Sequence, residues 1–319
     1  MAETTNKSLT LKDLPEYIDQ RSEELITKSV FAPMSTTLFK VQSGVKAPTA
    51  LNLLETVISF GDGKTCGWSN EVNQTISERV ITPGFIKVQG EYCQKDFYNT
   101  FASHLTNVAA GRETLPFEEY FVTDVIRNIG KTLEIAIWQG DVNAYDENLN
   151  KFDGLLKIMF ADVPAGNKQV VGSGDTMLDR VWNVYNAIPE ETLFDTVIYM
   201  NNANFRTLIK ELAYAHEGVG MYQYKPEVDG SLDIILPGTN THVKAVSGLI
   251  NQDVIVACNP DHIVYGVDLE NDMETFHFWF STDNDTFRLR VEFSAGVQIA
   301  LPNEVILNGT YVAPASDSE

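Results

Sequence analysis

The chain has 319 residues, 44% of them hydrophobic, which is enough for a sizeable core in one large or two modest domains without disulfide or metal staples. Its 23 Lys and Arg stand against 44 Asp and Glu, a net charge of -21 spread along the length, the wrong sign for a protein that holds nucleic acid by neutralising phosphates. Three scattered cysteines, Cys66, Cys93 and Cys258, form neither a disulfide framework nor a zinc-knuckle spacing and fit a reducing interior, and no apolar run serves as a signal segment or membrane span.

Residues 1 to about 50 are polar and arm-like, with one amphipathic stretch (Leu11, Leu14, Ile18, Leu25, Ile26) and a Ser/Thr exit at Ser35 to Thr37, a kind of segment that orders only when it lies on something. From Leu54 to Phe85 the signals turn to β, with Thr56 to Phe60 on one side, Ile76 to Ile81 on the other, and Gly61, Gly63 and Gly67 between. That pattern predicts a long hairpin-shaped excursion, followed by a short helical piece between Glu91 and Asn107. Pro116 opens the clearest helix, in which Phe117, Phe121, Val125, Ile129, Leu133 and Ile137 recur every fourth residue until Gly140 stops it. About two dozen residues at 1.5 Å rise give roughly 35 Å.

Phe194 to Met200 reads as a buried strand, and Asn201, Asn202 and Asn204 offer caps to a helix with Phe205, Leu208, Ile209 and Leu212 on one face. The last third is mainly β, at Leu232 to Leu236, Val243 to Val246 and Asp253 to Ala257. Phe276 to Phe280 and Phe287 to Phe293 then alternate with period two across the turn formers Ser281 to Thr286, predicting a hairpin with one packed face. Ala313 to Glu319 reads as a loose acidic end, and there is no internal repeat.

A search for chemistry finds little. His104, His216, His242, His262 and His277 never fall at metal-ligand spacing, although Asp261-His262 and His277 are left free to meet in space. Gly61-x-Gly63, Gly172-Ser173-Gly174 and Gly218-x-Gly220 lack the remainder of a phosphate-binding fingerprint and read as turns. No Gly-x-Ser-x-Gly elbow occurs, and Cys258 reads as a small buried hydrophobe. Acidic pairs such as Glu118-Glu119, Glu190-Glu191 and Asp283 with Asp285 leave a cation or sugar site open, though scattered carboxylates are expected in so acidic a chain. The expectation is no catalytic, cofactor-binding or metal residue and no cofactor. A polar arm, a β excursion, a long helix, an α/β middle and a terminal hairpin are parts for holding neighbours.

At Cys66-Gly67-Trp68, followed by Ser77-x-Arg79, Lys87-Val88 and Cys93-x-x-Asp96, the sequence resembles the major capsid proteins of tailed bacteriophages. Ile135 to Asp141 and then Phe152-Asp153-Gly154-Leu155-Leu156 are similar to the family's spine helix and the turn after it. Phe194 to Leu212 is similar to its axial strand-helix step, with Pro237-Gly238, Gly266-x-Asp268-Leu269, Gly296-Val297 and Pro302-Asn303-Glu304 following in order. The resemblance implies an α+β chain of the Hong Kong 97-type capsid fold. It divides the chain into an N-terminal arm (1–53), an extended β-hairpin loop (54–90), a peripheral domain (91–165) with its spine helix at 116–139, an axial α/β domain (166–265), and the peripheral hairpin with the C-terminal return (266–319).

It further implies pentamers and hexamers tiling an icosahedral virion shell around double-stranded DNA that is enclosed without specific binding, after assembly in the host cytoplasm. With about fifty residues ahead of the loop, the resemblance points to a separate scaffolding protein, with portal and decoration proteins as further partners and no membrane. Some family members cross-link loop lysines; Lys64 lies near the expected loop tip, but no partner asparagine is identified and a solvated lysine is the favoured reading. Trp68, on a loop loosened by Gly61, Gly63 and Gly67, is the candidate intersubunit contact, because an exposed indole is useful chiefly when a neighbour buries it. The alternatives are an encapsulin-like nanocompartment shell, a soluble intracellular enzyme whose catalytic residues meet only in space, and a tail or adhesion component, for which the expected repeats are missing.

Overall fold

The structure, a computed structural model, describes residues 22–60, 72–93, 117–162, 170–172, 174–215, 225–226, 232–268, 275–284 and 286–315. The chain begins with helix α1 (Ser22–Val30), a 3-10 turn (Met34–Thr37) and strand β1 (Lys40–Gln42). Strands β2 (Thr49–Ile58), β3 (Val72–Ile81) and β4 (Gly84–Cys93) follow, then the long helix α2 (Phe117–Gln139) and helix α3 (Leu155–Asp162). The next group is β5 (Val170–Val171), α4 (Met177–Ala187), β6 (Val197–Met200), α5 (Asn202–Ala215), β7 (Lys225–Pro226), β8 (Leu232–Ile235) and β9 (His242–Ala245). After a 3-10 turn (Ser247–Leu249) the chain closes with β10 (Asp253–Cys258), β11 (Ile263–Val267), β12 (Thr275–Ser281), β13 (Thr286–Ile299) and β14 (Ile306–Thr310).

Strand β13 organises a five-stranded sheet. One edge of it carries β4 in antiparallel register from Gly84 opposite Ala295 to Cys93 opposite Thr286, and the other carries β12 and β11, with β1 parallel to β11. The period-two pattern sends Phe276, Phe278, Phe287, Leu289, Val291 and Phe293 into the core. On that face Phe278 stacks on Phe287 with centroids 5.4 Å apart and meets Phe121 of α2 at 5.7 Å. The hairpin expected at 276–293 therefore forms, and β13 runs on to Ile299 to reach β11. The helical piece expected from Glu91 begins as strand through Cys93, and its remainder lies outside the described residues.

A seven-stranded sheet runs β5-β14-β10-β6-β9-β8-β7. Its interior strand β10 has continuous apolar sequence because it divides two cores: Val254, Val256 and Cys258 face the core shared with α2 and the five-stranded sheet, while Ile255 and Ala257 face α4 and α5. Strand β6 divides in the same way, Tyr199 to one core and Ile198 with Met200 to the other. Helix α4 starts cleanly because the Thr176 side chain accepts a bond from the Asp179 amide while Asp179 accepts one from the Thr176 amide, a capping box. The Gly172 to Gly174 stretch leads into this cap.

Helix α2 packs along the core that it shares with the five-stranded sheet. Of its 23 residues, Phe121 and Val125 are half-buried, and the helix ends buried, with Ile137 and Trp138 fully enclosed. The stop at Gly140 is forced by a backbone crossing, for the Gly154 amide donates to the Gly140 carbonyl at 2.8 Å and a Cβ on Gly154 would stand 2.4 Å from the Gly140 nitrogen. Only two glycines permit that approach.

Candidate assembly surfaces

Strands β2 and β3 pair in register from Thr49 opposite Ile81 to Ile58 opposite Val72, and among the described residues they pair with no other strand. The base is held. Val45, Leu51, Ile81 and Val264 form a small apolar cluster, Arg79 Nη2 donates to Gln298 Oε1 at 3.0 Å and pairs with Asp162 on α3, and Gln298 Nε2 donates to the Val80 carbonyl at 2.6 Å. The far end is not covered, with Ile58 63%, Phe60 100% and Val72 45% exposed. A lone two-stranded hairpin is at best marginally stable in water, and three large apolar side chains at its end form a surface that gains by being buried. Gly61, Gly63, Gly67 and Trp68, with Cys66 and Lys64, lie in the 61–71 stretch between these strands and outside the described residues.

A trough of about 490 Å³ runs between β4 and α2 over a floor of Leu289 and Phe293. Ile86, Val88 and Tyr92 wall it on one side and Phe121 and Val125 on the other, with Tyr92 edge-on to Phe121 at 5.4 Å. Burial, helped by the charge of Asp124, pushes the Tyr92 hydroxyl up, so it stays neutral.

The opposite face of the β4-β13-β12 sheet carries a ladder of charge. Arg288 Nη2 lies 3.2 Å from Glu91, Thr286 Oγ1 donates to Glu91 at 2.7 Å, Arg290 meets Glu292 at 2.7 Å and Lys87 meets Glu292 at 3.6 Å. The hydrogen bonds from Thr286 and Arg288 hold the Glu91 carboxyl below its usual range. Exposed pairs of this kind orient a surface more than they stabilise it.

The groups weighed as chemistry fall apart in space. His262 Nδ1 lies 2.9 Å from Glu304 Oε2, though misaligned for a hydrogen bond, while His277 sits opposite Arg290 toward the other end of β13. His242 Nδ1 lies 2.8 Å from Asp233 Oδ2 on the neighbouring strand. Cys258 is buried, and desolvation pushes its thiol up to about 12, which leaves it no nucleophile. Among the described residues no three His, Cys, Asp or Glu side chains converge as a metal site. Glu190 and Glu191 are exposed on the turn after α4, and Asp285 lies outside the described residues.

Sequence reading missed a buried polar node where α2 ends. Ser35 donates to Glu134 through both its amide (2.9 Å) and its hydroxyl (2.6 Å), and Trp138 Nε1 donates to Ser35 Oγ at 2.7 Å. Next to it Gln139 Nε2 donates to the Gly248 carbonyl at 2.6 Å, and Gln252 Nε2 reaches Gln139 at 3.1 Å and the Val312 carbonyl at 2.8 Å. A polar residue inside an apolar helical stripe, as Glu134 is among Leu133, Ala136 and Ile137, was the one available signal.

Solved structures similar to this chain come from phages and a GTA particle, and the likeness establishes the fold of phage capsid proteins. A chain of the satellite phage P4 procapsid, a structure that includes the size determination (Sid) protein, aligns over 91% of each chain with TM-score 0.62 and 10% identity. A chain of Gordonia phage Cozz aligns over 88% of this chain and 86% of its own (TM-score 0.56, 10% identity), and one from the capsid of the empty GTA particle over 88% and 90% (TM-score 0.54, 12% identity). No protein-family model matches the sequence, and neither does any curated protein.

Proposed function

We propose that the chain is the major shell subunit of a phage-type capsid, assembling as pentamers and hexamers around double-stranded DNA, with a structural and not a catalytic role. The observation that carries this is the β2-β3 hairpin, anchored at its base and apolar at its uncovered end, on a fold that matches capsid chains over about nine tenths of its length. Closed tiling needs one chain to present both a projecting element and a surface to receive it. In this reading the division at 1–53, 54–90, 91–165, 166–265 and 266–319 follows the Hong Kong 97 type, Trp68 with Gly61, Gly63 and Gly67 extends the hairpin contact onto a neighbour, and scaffolding, portal and decoration proteins are the remaining partners. The location is the virion, reached from the host cytoplasm. An encapsulin-like shell is the weaker reading, because the similar chains come from phage and GTA particles.

Electron microscopy with light scattering on the purified full chain tests it. Closed particles, or capsomers of five and six copies, are the expected result. A monomer that persists at high concentration with or without scaffold overturns it.

A further inference from the structure

We propose that Glu134, Ser35 and Trp138 form a proton-operated latch that fastens the exit of the N-terminal arm to the long helix, tightened by proton uptake at Glu134 and loosened by its release. The inference stands apart from the shell reading.

Residues 30 to 38 pass along α2 and are held at three points, one on β11 and two on α2. The Val30 carbonyl accepts from Tyr265 Oη at 3.1 Å, Ala32 fits against Gly130, where a Cβ would meet its methyl at 2.7 Å, and Ser35 binds Glu134 through amide and hydroxyl. Of these only the last involves a carboxyl group. Glu134 is 3% exposed, and Ser35 and Trp138 are fully buried. The turns packed on it, Met34–Thr37 and Ser247–Leu249, bring no charged side chain, and Lys131, one turn earlier on the helix, points to solvent. Tyr199, against the Trp138 ring at 5.6 Å, is kept neutral because burial pushes its hydroxyl well up. The carboxyl is therefore answered by hydrogen-bond donors alone, from Ser35 and from backbone amides of Met34 and Gly248.

Burial outweighs those donors and pushes the Glu134 carboxyl above its usual range. With the exit lifted off, the same carboxyl meets water and titrates normally. Docking is thus strongest below the ordinary glutamate value and weakens as pH rises through the raised one. In the protonated form the acid proton takes over the contact with Ser35 Oγ, donated to the lone pair that Trp138 leaves free, and the serine hydroxyl hydrogen turns away from Glu134.

The test is limited proteolysis of the full chain between residues 31 and 38 across mildly acid to neutral pH, with wild type beside Glu134→Gln, whose amide is uncharged at every pH. The Trp138 indole N–H signal, assigned by its loss in Trp138→Phe, is followed alongside. The expected result is cleavage rising with pH in wild type, by at most about tenfold per unit for one linked proton, a flat profile in Glu134→Gln, and an indole signal that titrates with a midpoint above the ordinary glutamate value. Parallel cleavage profiles in the two proteins, or an indole midpoint at the ordinary value, overturn the latch. If Glu134→Gln fails to fold, the wild-type indole midpoint decides alone.

Discussion

Where the long helix ends, Lys157 Nζ sits 2.7 Å from Asp141 and 2.5 Å from Asp153, tying the start of α3 to the loop after α2. Burial pushes the Asp141 carboxyl up, but the hydrogen bonds from Lys157 and the Asn143 amide, with the lysine charge, hold it below its usual range. A carboxyl so depressed adds stability above its unfolded value of about 3.9 and loses it as pH falls through the lower folded value. Lys157→Met should therefore cost roughly 1.5–3 kcal/mol near neutrality and flatten the acid limb, read by urea unfolding from pH 6 down to about pH 2.5. An acid limb identical to wild type would show that the cluster does not govern acid stability. Gly154→Ala is the second test at this scale: its methyl has no room beside the Gly140 nitrogen, so the melting point should fall by the equivalent of about 1–3 kcal/mol or the chain should fail to fold.

Among the elements, those set by local pattern were legible and those set by distant partners were not. The fourfold apolar spacing from Phe117 and the alternation of Phe276 to Phe293 read correctly because each buries one face against a single core. The run Val254 to Cys258 read as a strand, yet nothing local could say that its alternate side chains serve two cores. Nor could spacing pair β4 with β13, since the partners lie far apart in sequence and β4 alone reads as a half-exposed strand. Contrasting substitutions separate core from contact surface. Phe278→Ala, in the stack with Phe287 and Phe121, should cost about 3–5 kcal/mol in subunit unfolding. Phe60→Ala at the hairpin end should change subunit stability by less than about 0.5 kcal/mol while weakening assembly, as should Trp68→Ala if that indole also meets a neighbour. A large drop in subunit melting for Phe60→Ala would place the hairpin end in the core and remove it as a contact.

At the scale of the whole molecule, charge opposes the association proposed above. The candidate contact was legible only as a hairpin with glycines and a tryptophan between its strands; the exposed Ile58, Phe60 and Val72 became meaningful once β2 and β3 were seen to pair with no third strand among the described residues. The pairing of Glu134 with Ser35 was illegible because the two stand 99 positions apart, and only the polar residue in its apolar stripe hinted at it. The net charge of -21 was plain from the start, and it has a consequence for assembly. Copies brought together at low ionic strength repel one another, and the repulsion reaches about 30 Å at 0.01 M salt but only about 10 Å at 0.1 M. Apolar burial of the hairpin end is nearly indifferent to this screening, whereas the repulsion is not. The concentration needed for assembly should therefore fall as salt is raised from about 0.01 to 0.3 M, as measured by static light scattering, and binding of added double-stranded DNA should stay weak throughout, because few cations are present to release its counterions. Assembly that is strongest at low salt would mean that ion pairs between copies, such as the Arg288 and Arg290 ladder meeting a neighbour's carboxylates, dominate over apolar contact. Tight DNA binding that weakens steeply with salt would mean that the acidic total conceals a cationic inner face.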